Sequence, residues 1–239
     1  MSRLFMVRHG QASFLEPDYD KLSALGELQS RHLGEYWSRR NVRFDRVFCG
    51  PRFRQTETAR LVGEEYAKAG REFPEIEVLP EFDEYDGESV LKLSLLRLLE
   101  TDESIRALYE DFKNAQTPDD RRRKFERMFE PIVRMWVDGE VLLPNIESWP
   151  EFCARVNRGL TKVLASGRHG EQSVIFCSGG PISVTMQRAL NLSAQATLQV
   201  MWMSRNGSYS EFVHSAERFT LSSFNAHPHL DDPSLLTYR

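Results

Sequence analysis

The sequence has few cysteines and no long apolar run. Its three cysteines, Cys49, Cys153 and Cys177, form an odd and sparse set among 239 residues. Their spacing suits neither a disulfide framework nor a zinc ribbon, and it predicts a reducing compartment. Nowhere do roughly 18 apolar residues follow one another, so no transmembrane helix is expected. The apolar run at the N-terminus is too short for a signal peptide. We therefore expect a cytoplasmic protein with no membrane partner.

The chain also lacks an excess of positive charge. It has 31 Lys and Arg residues against 35 Asp and Glu residues, which gives a net charge of −4. Binding of nucleic acid depends on a broad positive field, so nucleic acid is not an expected partner. Any anionic ligand must instead be bound by local arginines. With 41% hydrophobic and 28% charged residues, the composition is that of an ordinary globular protein.

Short apolar segments alternate with segments of helical periodicity along most of the chain. The strand candidates are residues 3–8, 44–49, 76–79 and 173–177, followed by a hairpin of residues 209–215 and 218–224. The helix candidates are residues 22–36, capped by Asp20 or Ser23, then 54–69, 150–166 and a helix that opens at Ser178-Gly179-Gly180-Pro181. This βαβ alternation predicts an α/β fold whose mostly parallel sheet is covered by helices.

Residues 90–145 depart from that alternation. Leucine and arginine dominate the stretch, no strand pattern interrupts it, and Leu91 and Leu95 lie on one helical face. We interpret it as a helical insertion within a single domain that spans residues 1–239. Its basic run, Arg121-Arg122-Arg123-Lys124, is either a solvated helical face or part of a cap that steers anionic substrates. Substrate identity is expected to depend on this insertion.

Three polar segments follow predicted parallel strands. They are Arg8-His9-Gly10-Gln11, Gly50-Pro51-Arg52-Phe53-Arg54 and Ser178-Gly179-Gly180. In open α/β sheets the ligand binds beyond the carboxyl ends of the strands, so two arginines and one histidine are expected in one crevice. The guanidinium fork matches phosphate oxygens. A histidine between two cations stays neutral and nucleophilic. The combination predicts a phosphate site.

These residues resemble the histidine phosphatase (phosphoglycerate mutase-like) superfamily. Arg8-His9-Gly10 resembles its Arg-His-Gly motif, and Leu22-Ser23-x-x-Gly26 resembles its Leu-Ser/Thr-x-x-Gly element. Gly50 to Ala59 is similar to its Ser-Pro-x-x-Arg-Ala-x-Gln-Thr-Ala segment. The remaining matches are Glu147-Ser148, Phe224-Asn225 and His229-Leu230. The resemblance implies a three-layer α/β/α fold, and it spans almost the whole chain outside the insertion.

The resemblance also implies covalent catalysis without a metal or cofactor. His9 would attack the phosphorus of a small phosphorylated substrate and become a phosphohistidine, which water then hydrolyses. Arg8 and Arg54 would hold the phosphoryl oxygens. The expected enzyme is a phosphomonoester phosphatase, a hydrolase, rather than a mutase.

A carboxyl group must protonate the leaving oxygen, and the family places it in a Leu-x-Glu element. Two registers fit, Leu79-Pro80-Glu81 and Phe82-Asp83-Glu84. The distance from the preceding strand favours Glu84, while Glu81, Asp83 and Asp86 remain alternatives.

Two positions depart from the family pattern. The second histidine of its His-Gly-Gly element is replaced by Ser178, followed by Gly179. Such a Ser-Gly-Gly is identified with a bacterial subgroup. A serine donates one hydrogen bond but carries no charge, so we expect reduced phosphoryl transfer. Where many members have an asparagine after Arg-His-Gly, Ser13 or the Gln11 amide would contact phosphate. The alternative function is a non-catalytic phosphoester-binding module with a degenerate site.

Other chemistries fit the sequence poorly. A serine nucleophile elbow at Ser178 needs glycine at position 176, which is Phe176. A Cys-x5-Arg phosphatase motif fails at both Cys49 and Cys177, since the sixth following residues are glutamine and serine. His227-Pro228-His229 has no regularly spaced partner that would make a metal site. From the resemblance, His229 is expected to line the crevice.

Overall fold

A computed structural model describes residues 1–13, 20–165 and 167–238. The chain divides into two compact units. The first combines Met1–Glu84 with Ala154–Arg239, and the second is Tyr85–Cys153. In these described ranges, no helix has the length and apolarity needed to cross a membrane.

The first unit is built on a six-stranded sheet. Its strands are β1 (Ser2–Arg8), β2 (Arg46–Cys49), β3 (Ile76–Val78), β4 (Gln172–Cys177), β5 (Tyr209–His214) and β6 (Phe219–Ala226). The order is β3-β2-β4-β1-β5-β6, with β1 to β4 parallel and β5 and β6 antiparallel to their neighbours. Both β1 and β4 are apolar runs buried along nearly their whole length, as central parallel strands require.

The helices of the described residues are α1 (Ala24–Arg39), α2 (Phe53–Lys68), α3 (Gly87–Thr101), α4 (Glu103–Lys113), α5 (Pro118–Val137), α6 (Trp149–Ala165), α7 (Gly179–Leu190) and α8 (Ala194–Met203). α1 connects β1 to β2 and α2 connects β2 to β3, so both connections run across the sheet in the direction of β3. The connection from β3 to β4, which ends with α6, runs in the opposite direction. Right-handed crossovers therefore place α6 on the face opposite α1 and α2. This confirms the predicted α/β fold with helices on both sides of a mostly parallel sheet.

Aromatic side chains form much of the core between the sheet and its first two helices. Phe5 of β1 lies edge-on to Trp37 and Phe44, with ring centroids 5.9 and 5.5 Å apart. Trp37 and Phe44 are themselves 5.0 Å apart, and Tyr66 extends the cluster along α2. Edge-to-face contacts of this kind stabilise beyond the buried area alone. The core therefore holds α1 and α2 firmly over β1.

α1 approaches the loop after β1 very closely. A Cβ added at Gly10 would lie 2.2 Å from the Gly26 carbonyl oxygen, and one added at Gly26 would lie 2.1 Å from the Gln11 carbonyl oxygen. Ser23 caps α1, since its hydroxyl accepts the Gly26 N–H at 3.1 Å. Of the two predicted caps, Ser23 is therefore correct for α1. Asp20 instead accepts the Phe53 N–H of α2 at 2.8 Å.

The last described residues are tied to α1 by Gln29. The Gln29 Nε2 donates to the Leu235 carbonyl at 2.7 Å and to the Thr237 hydroxyl at 3.0 Å. Its Oε1 accepts the Gln11 N–H at 2.8 Å. The Asn206 N–H also donates to the Thr237 carbonyl at 2.9 Å. One buried carboxamide thus joins the loop after β1 to the end of the chain.

In the second unit, α3, α4 and α5 pack on one another. The predicted basic run opens α5 and is engaged within the unit. Lys124 pairs with Asp111 at 3.0 Å and Asp120 at 3.1 Å, and the Arg121 guanidinium lies 4.8 Å from the Phe112 ring centroid. These contacts join α5 to α4, so at least part of the run has a structural role.

Candidate active site

Three polar segments meet at the carboxyl edge of the sheet. Arg8 ends β1 and pairs in register with Cys177, the last residue of β4. Cys49 ends β2 and pairs with Phe176 of β4. Because these three strands are adjacent and parallel, the loops that follow them emerge side by side. This is the edge at which ligands bind in open α/β sheets.

His9 is held in one tautomer by its own loop. Its backbone N–H donates to the Cys177 carbonyl at 2.9 Å, and the side chain is 5% exposed. Nδ1 lies 2.7 Å from the Gly10 carbonyl oxygen, which can only accept, so Nδ1 carries the proton. Nε2 then keeps its lone pair and accepts the Arg54 Nε–H at 3.1 Å. The nitrogen available for attack is therefore Nε2.

Burial holds the pKa of His9 well below its ordinary value of 6.5, and the charges of Arg54 and Arg8 lower it further. Both effects disfavour the imidazolium cation. The ring is therefore neutral at neutral pH.

Both arginines are buried and anchored. Nη1 of Arg54 donates to Asp20 at 2.7 Å, and Nη1 of Arg8 donates to the Ser204 carbonyl. Asp20 also accepts the first backbone N–H of α2, so one carboxylate caps the helix and orients its arginine. The Arg54 guanidinium contacts the His9 ring directly, and Arg8 is its neighbour in the chain.

Ser178 precedes α7 and is buried to 1% exposure. Its Oγ accepts a hydrogen bond from Gln55 Nε2 at 2.8 Å. The next two residues, Gly179 and Gly180, begin the helix. A Cβ at Gly179 would lie 3.9 Å from Arg8 Nε, which places this helix start beside Arg8.

Glu84 lies against the same helix start. Its Oε2 accepts the Gly180 N–H at 3.1 Å. Of the alternatives, Asp83 pairs with Arg52 at 2.5 Å. Asp86 caps α3 by accepting the Ser89 N–H. Glu81 packs on α6, where a Cβ at Gly159 would lie 2.5 Å from the Glu81 Cβ. Glu84 is thus the carboxyl that contacts the helix following Ser178.

The family profile described as "Histidine phosphatase superfamily (branch 1)" matches residues 4–227. The chain belongs to this superfamily.

Solved structures share its fold. A putative alpha-ribazole-5'-P phosphatase from Escherichia coli K-12 is 20% identical with a TM-score of 0.64, over 95% of this chain and 98% of that one. YhfR from Bacillus stearothermophilus is 15% identical with a TM-score of 0.64, over 97% and 100%. A phosphoserine phosphatase mutant from Entamoeba histolytica, in complex with phosphoserine, is 17% identical with a TM-score of 0.58, over 96% and 100%. Comparison with curated protein sequences found no match.

Three further residues that the sequence predicted for the site have hydrogen-bond partners of their own. The Gln11 Oε1 accepts the Ser23 hydroxyl at 2.9 Å, which ties this amide to the cap of α1. Ser13 is buried, and its backbone N–H donates to the Lys21 carbonyl at 2.8 Å. His229 bonds the Gly207 carbonyl at 3.0 Å, and burial lowers its pKa to about 4. Since the Gly207 N–H donates to the carbonyls of Arg8 and His9, His229 supports the backbone that carries His9.

Sequence reasoning gave no catalytic role to Asp20 or Gln55. Asp20 stands out in the sequence only as a helix-cap candidate. Gln55 occupies the position where the family segment has alanine, and only that departure marks Gln55 in the sequence as a residue of interest. No group of three or more potential metal ligands occurs in residues 1–13, 20–165 and 167–238.

Proposed function

We propose that this protein is a phosphomonoester phosphatase whose nucleophile is His9 and whose intermediate is a phosphohistidine. The observation that carries the proposal is the state of His9. Its Nδ1 proton is tied to the Gly10 carbonyl, its Nε2 lone pair faces Arg54, and burial together with two nearby arginines keeps the ring neutral. A neutral imidazole between two cations suits attack on a phosphoryl group better than any role in the core.

In the first step, Nε2 forms a bond to phosphorus as the ester P–O bond breaks. Glu84 enters as a carboxylic acid and gives its proton to the leaving oxygen. Arg54 exchanges its bond with Nε2 for one to a phosphoryl oxygen, and Arg8 holds another. Donors around the phosphoryl group stabilise the charge on its oxygens in the transition state.

In the second step, water attacks the phosphohistidine. The Glu84 carboxylate takes the water proton, the Nε2–P bond breaks, and phosphate leaves with His9 neutral again. Glu84 ends as the carboxylic acid required for the next turnover.

The substrate we propose is a small phosphorylated molecule. Solved relatives with the same fold are named as phosphatases and include one bound to phosphoserine, which supports this class. The site offers buried arginines and a helix start, which together recognise a phosphoryl group without reading what it is attached to. We assign the choice of substrate to the helical residues 90–145.

We further propose that the reaction is attenuated because Ser178 donates without positive charge. Gln55 lies beside Ser178, so a histidine at position 178 needs that space. We therefore expect Ser178→His combined with Gln55→Ala to raise kcat for p-nitrophenyl phosphate, by up to about 10²-fold. Steady-state kinetics check this. An unchanged or lower kcat in a folded double variant would contradict attenuation by serine.

The decisive test is trapping of the phosphoenzyme. Wild-type protein mixed with ³²P-labelled substrate and quenched in alkali should retain label on His9, and His9→Ala should retain none and lose turnover. Trapping at pH 6 should be as fast as at pH 7.5, because the lowered pKa leaves His9 neutral where an ordinary histidine would be mostly protonated.

His169→Ala, which removes an exposed histidine outside the site, is the control and should behave as wild type. Turnover by His9→Ala would refute the covalent mechanism. Absence of label and turnover, together with binding of orthovanadate, would favour the phosphoester-binding alternative.

A further inference from the structure

Gln55 is fully buried, and two backbone groups set the orientation of its carboxamide. The Arg52 N–H donates to Oε1 at 3.1 Å, and the Phe82 carbonyl accepts from Nε2 at 3.4 Å. A backbone N–H can only donate and a carbonyl can only accept, so the amide cannot be reversed without losing both bonds. The group that lies 2.8 Å from Ser178 Oγ is therefore the nitrogen.

This orientation decides what the Ser178 hydroxyl can do. An amide nitrogen only donates, so the bond from Gln55 uses a lone pair of Ser178 Oγ and leaves the hydroxyl proton unused. No acceptor for that proton occurs in the part of the chain that the structure describes. A buried donor without an acceptor is costly. A phosphoryl oxygen at the strand ends would provide the acceptor.

The position of the pair supports this role. Arg54 and Gln55 are consecutive residues in the first turn of α2. Arg54 donates to the residue that follows β1, and Gln55 donates to the residue that follows β4. Since β1 and β4 end in register, His9 and Ser178 are neighbours. The first turn of α2 thus orients the nucleophile and the hydroxyl together.

A glycine leaves room for the amide. A Cβ at Gly50 would lie 2.2 Å from Gln55 Oε1 and 2.5 Å from the Phe82 carbonyl oxygen. Any larger residue at position 50 would displace the carboxamide or the backbone that orients it.

We infer that Gln55 is a positioning residue, which directs the Ser178 hydroxyl as a neutral hydrogen-bond donor to the phosphoryl group of the substrate. This inference rests on the proposed function. The family pattern has a histidine at position 178. Here the side chains of Ser178 and Gln55, which are neutral and hydrogen-bonded to each other, take its place.

A double-mutant cycle tests the inference. We expect Ser178→Ala to lower kcat/KM for p-nitrophenyl phosphate by about 10²-fold, and Gln55→Leu, which keeps the volume, to lower it by about 10-fold. Because Gln55 acts through Ser178, the double variant should match Ser178→Ala. A further 10-fold loss in the double variant would show that Gln55 acts independently and would overturn the inference.

Gln199→Leu, an exposed site on α8, is the matched control and should leave kcat/KM unchanged. Thermal unfolding of each variant verifies folding. If the wild type shows no turnover, the proposed function fails, and the same four proteins are titrated with orthovanadate by calorimetry. Non-additive weakening of binding by the two substitutions would then support the positioning role of Gln55, and additive weakening would refute it.

Discussion

At the scale of single residues, three neighbours determine the chemistry of His9. The Gly10 carbonyl selects the tautomer, Arg54 donates to Nε2, and Arg8 adds a second positive charge. The order of motifs in the sequence predicted Arg8, His9 and Arg54 together at one strand edge. The tautomer could not be predicted, because it depends on a distance between ring and backbone within the folded loop.

The sequence likewise could not decide which acidic residue lies nearest the other predicted site residues. The sequence left two registers and four carboxyls open. The structure separates them by contacts across the chain, since Glu84 meets the start of α7 while Glu81 packs on α6. A motif read along one segment carries no information on which helix each carboxyl faces.

The proposed acid role of Glu84 predicts a dependence on the leaving group. Glu84→Gln should lower kcat by about 10²–10³-fold for an alkyl phosphate, whose leaving oxygen needs the proton, and by less than about 10-fold for p-nitrophenyl phosphate. Steady-state rates across a series of leaving groups measure this. Glu81→Gln serves as the control and should leave the slope of the series as in the wild type. If the rate of Glu81→Gln depended steeply on the leaving group and that of Glu84→Gln did not, Glu81 rather than Glu84 would be the acid.

At the scale of elements, most helices and strands lie within a few residues of their predicted positions. β4, α2 and α6 show this agreement, because each has clear periodicity or a buried apolar run between turn residues. α8 was not predicted. Its residues 194–203 are apolar on several sides, so they lack the one-sided pattern that marks a surface helix.

The close approach of α1 to the loop after β1 predicts a sensitive position at Gly26. Gly26→Ala should lower the free energy of unfolding by about 1–3 kcal/mol and reduce kcat, because the new methyl group overlaps the Gln11 backbone next to the nucleophile loop. Urea unfolding and steady-state kinetics measure the two effects. Gly63→Ala in α2, whose Cβ would meet only the Phe73 ring edge at 3.0 Å, is the control and should change both little. Equal effects at the two positions would contradict this account.

At the scale of the whole molecule, the end of the chain completes the support of the site. Gln29 and Asn206 are buried and bond the segment around Thr237, and both also contact the loop that carries His9 or its neighbours. Pairings between residues some two hundred positions apart have no sequence pattern, which is why this support could not be predicted.

A chain that stops after Ser234 should therefore be less stable by about 3 kcal/mol, since it leaves the buried Gln29 amide without its acceptors. We also expect a lower kcat, because the same amide accepts the Gln11 N–H. Denaturant midpoints and turnover measure both. A chain that stops after Thr237 keeps these acceptors and should resemble the wild type. Equal stability of the two truncated chains would show that the Gln29 contacts contribute nothing.

The central place of β1 also has a consequence for the order of synthesis. β1 is synthesised well before its two neighbours, β4 and β5, which begin only at Gln172 and Tyr209. Until those neighbours have been made, the apolar run Leu4–Val7 has no strand beside it, and exposed segments of this kind attract chaperones or aggregate. His9, which directly follows β1, therefore acquires its environment only after β4 and β5 have been made. Under the proposed mechanism, we therefore expect no phosphatase activity from a growing chain until β4 and β5 have been made.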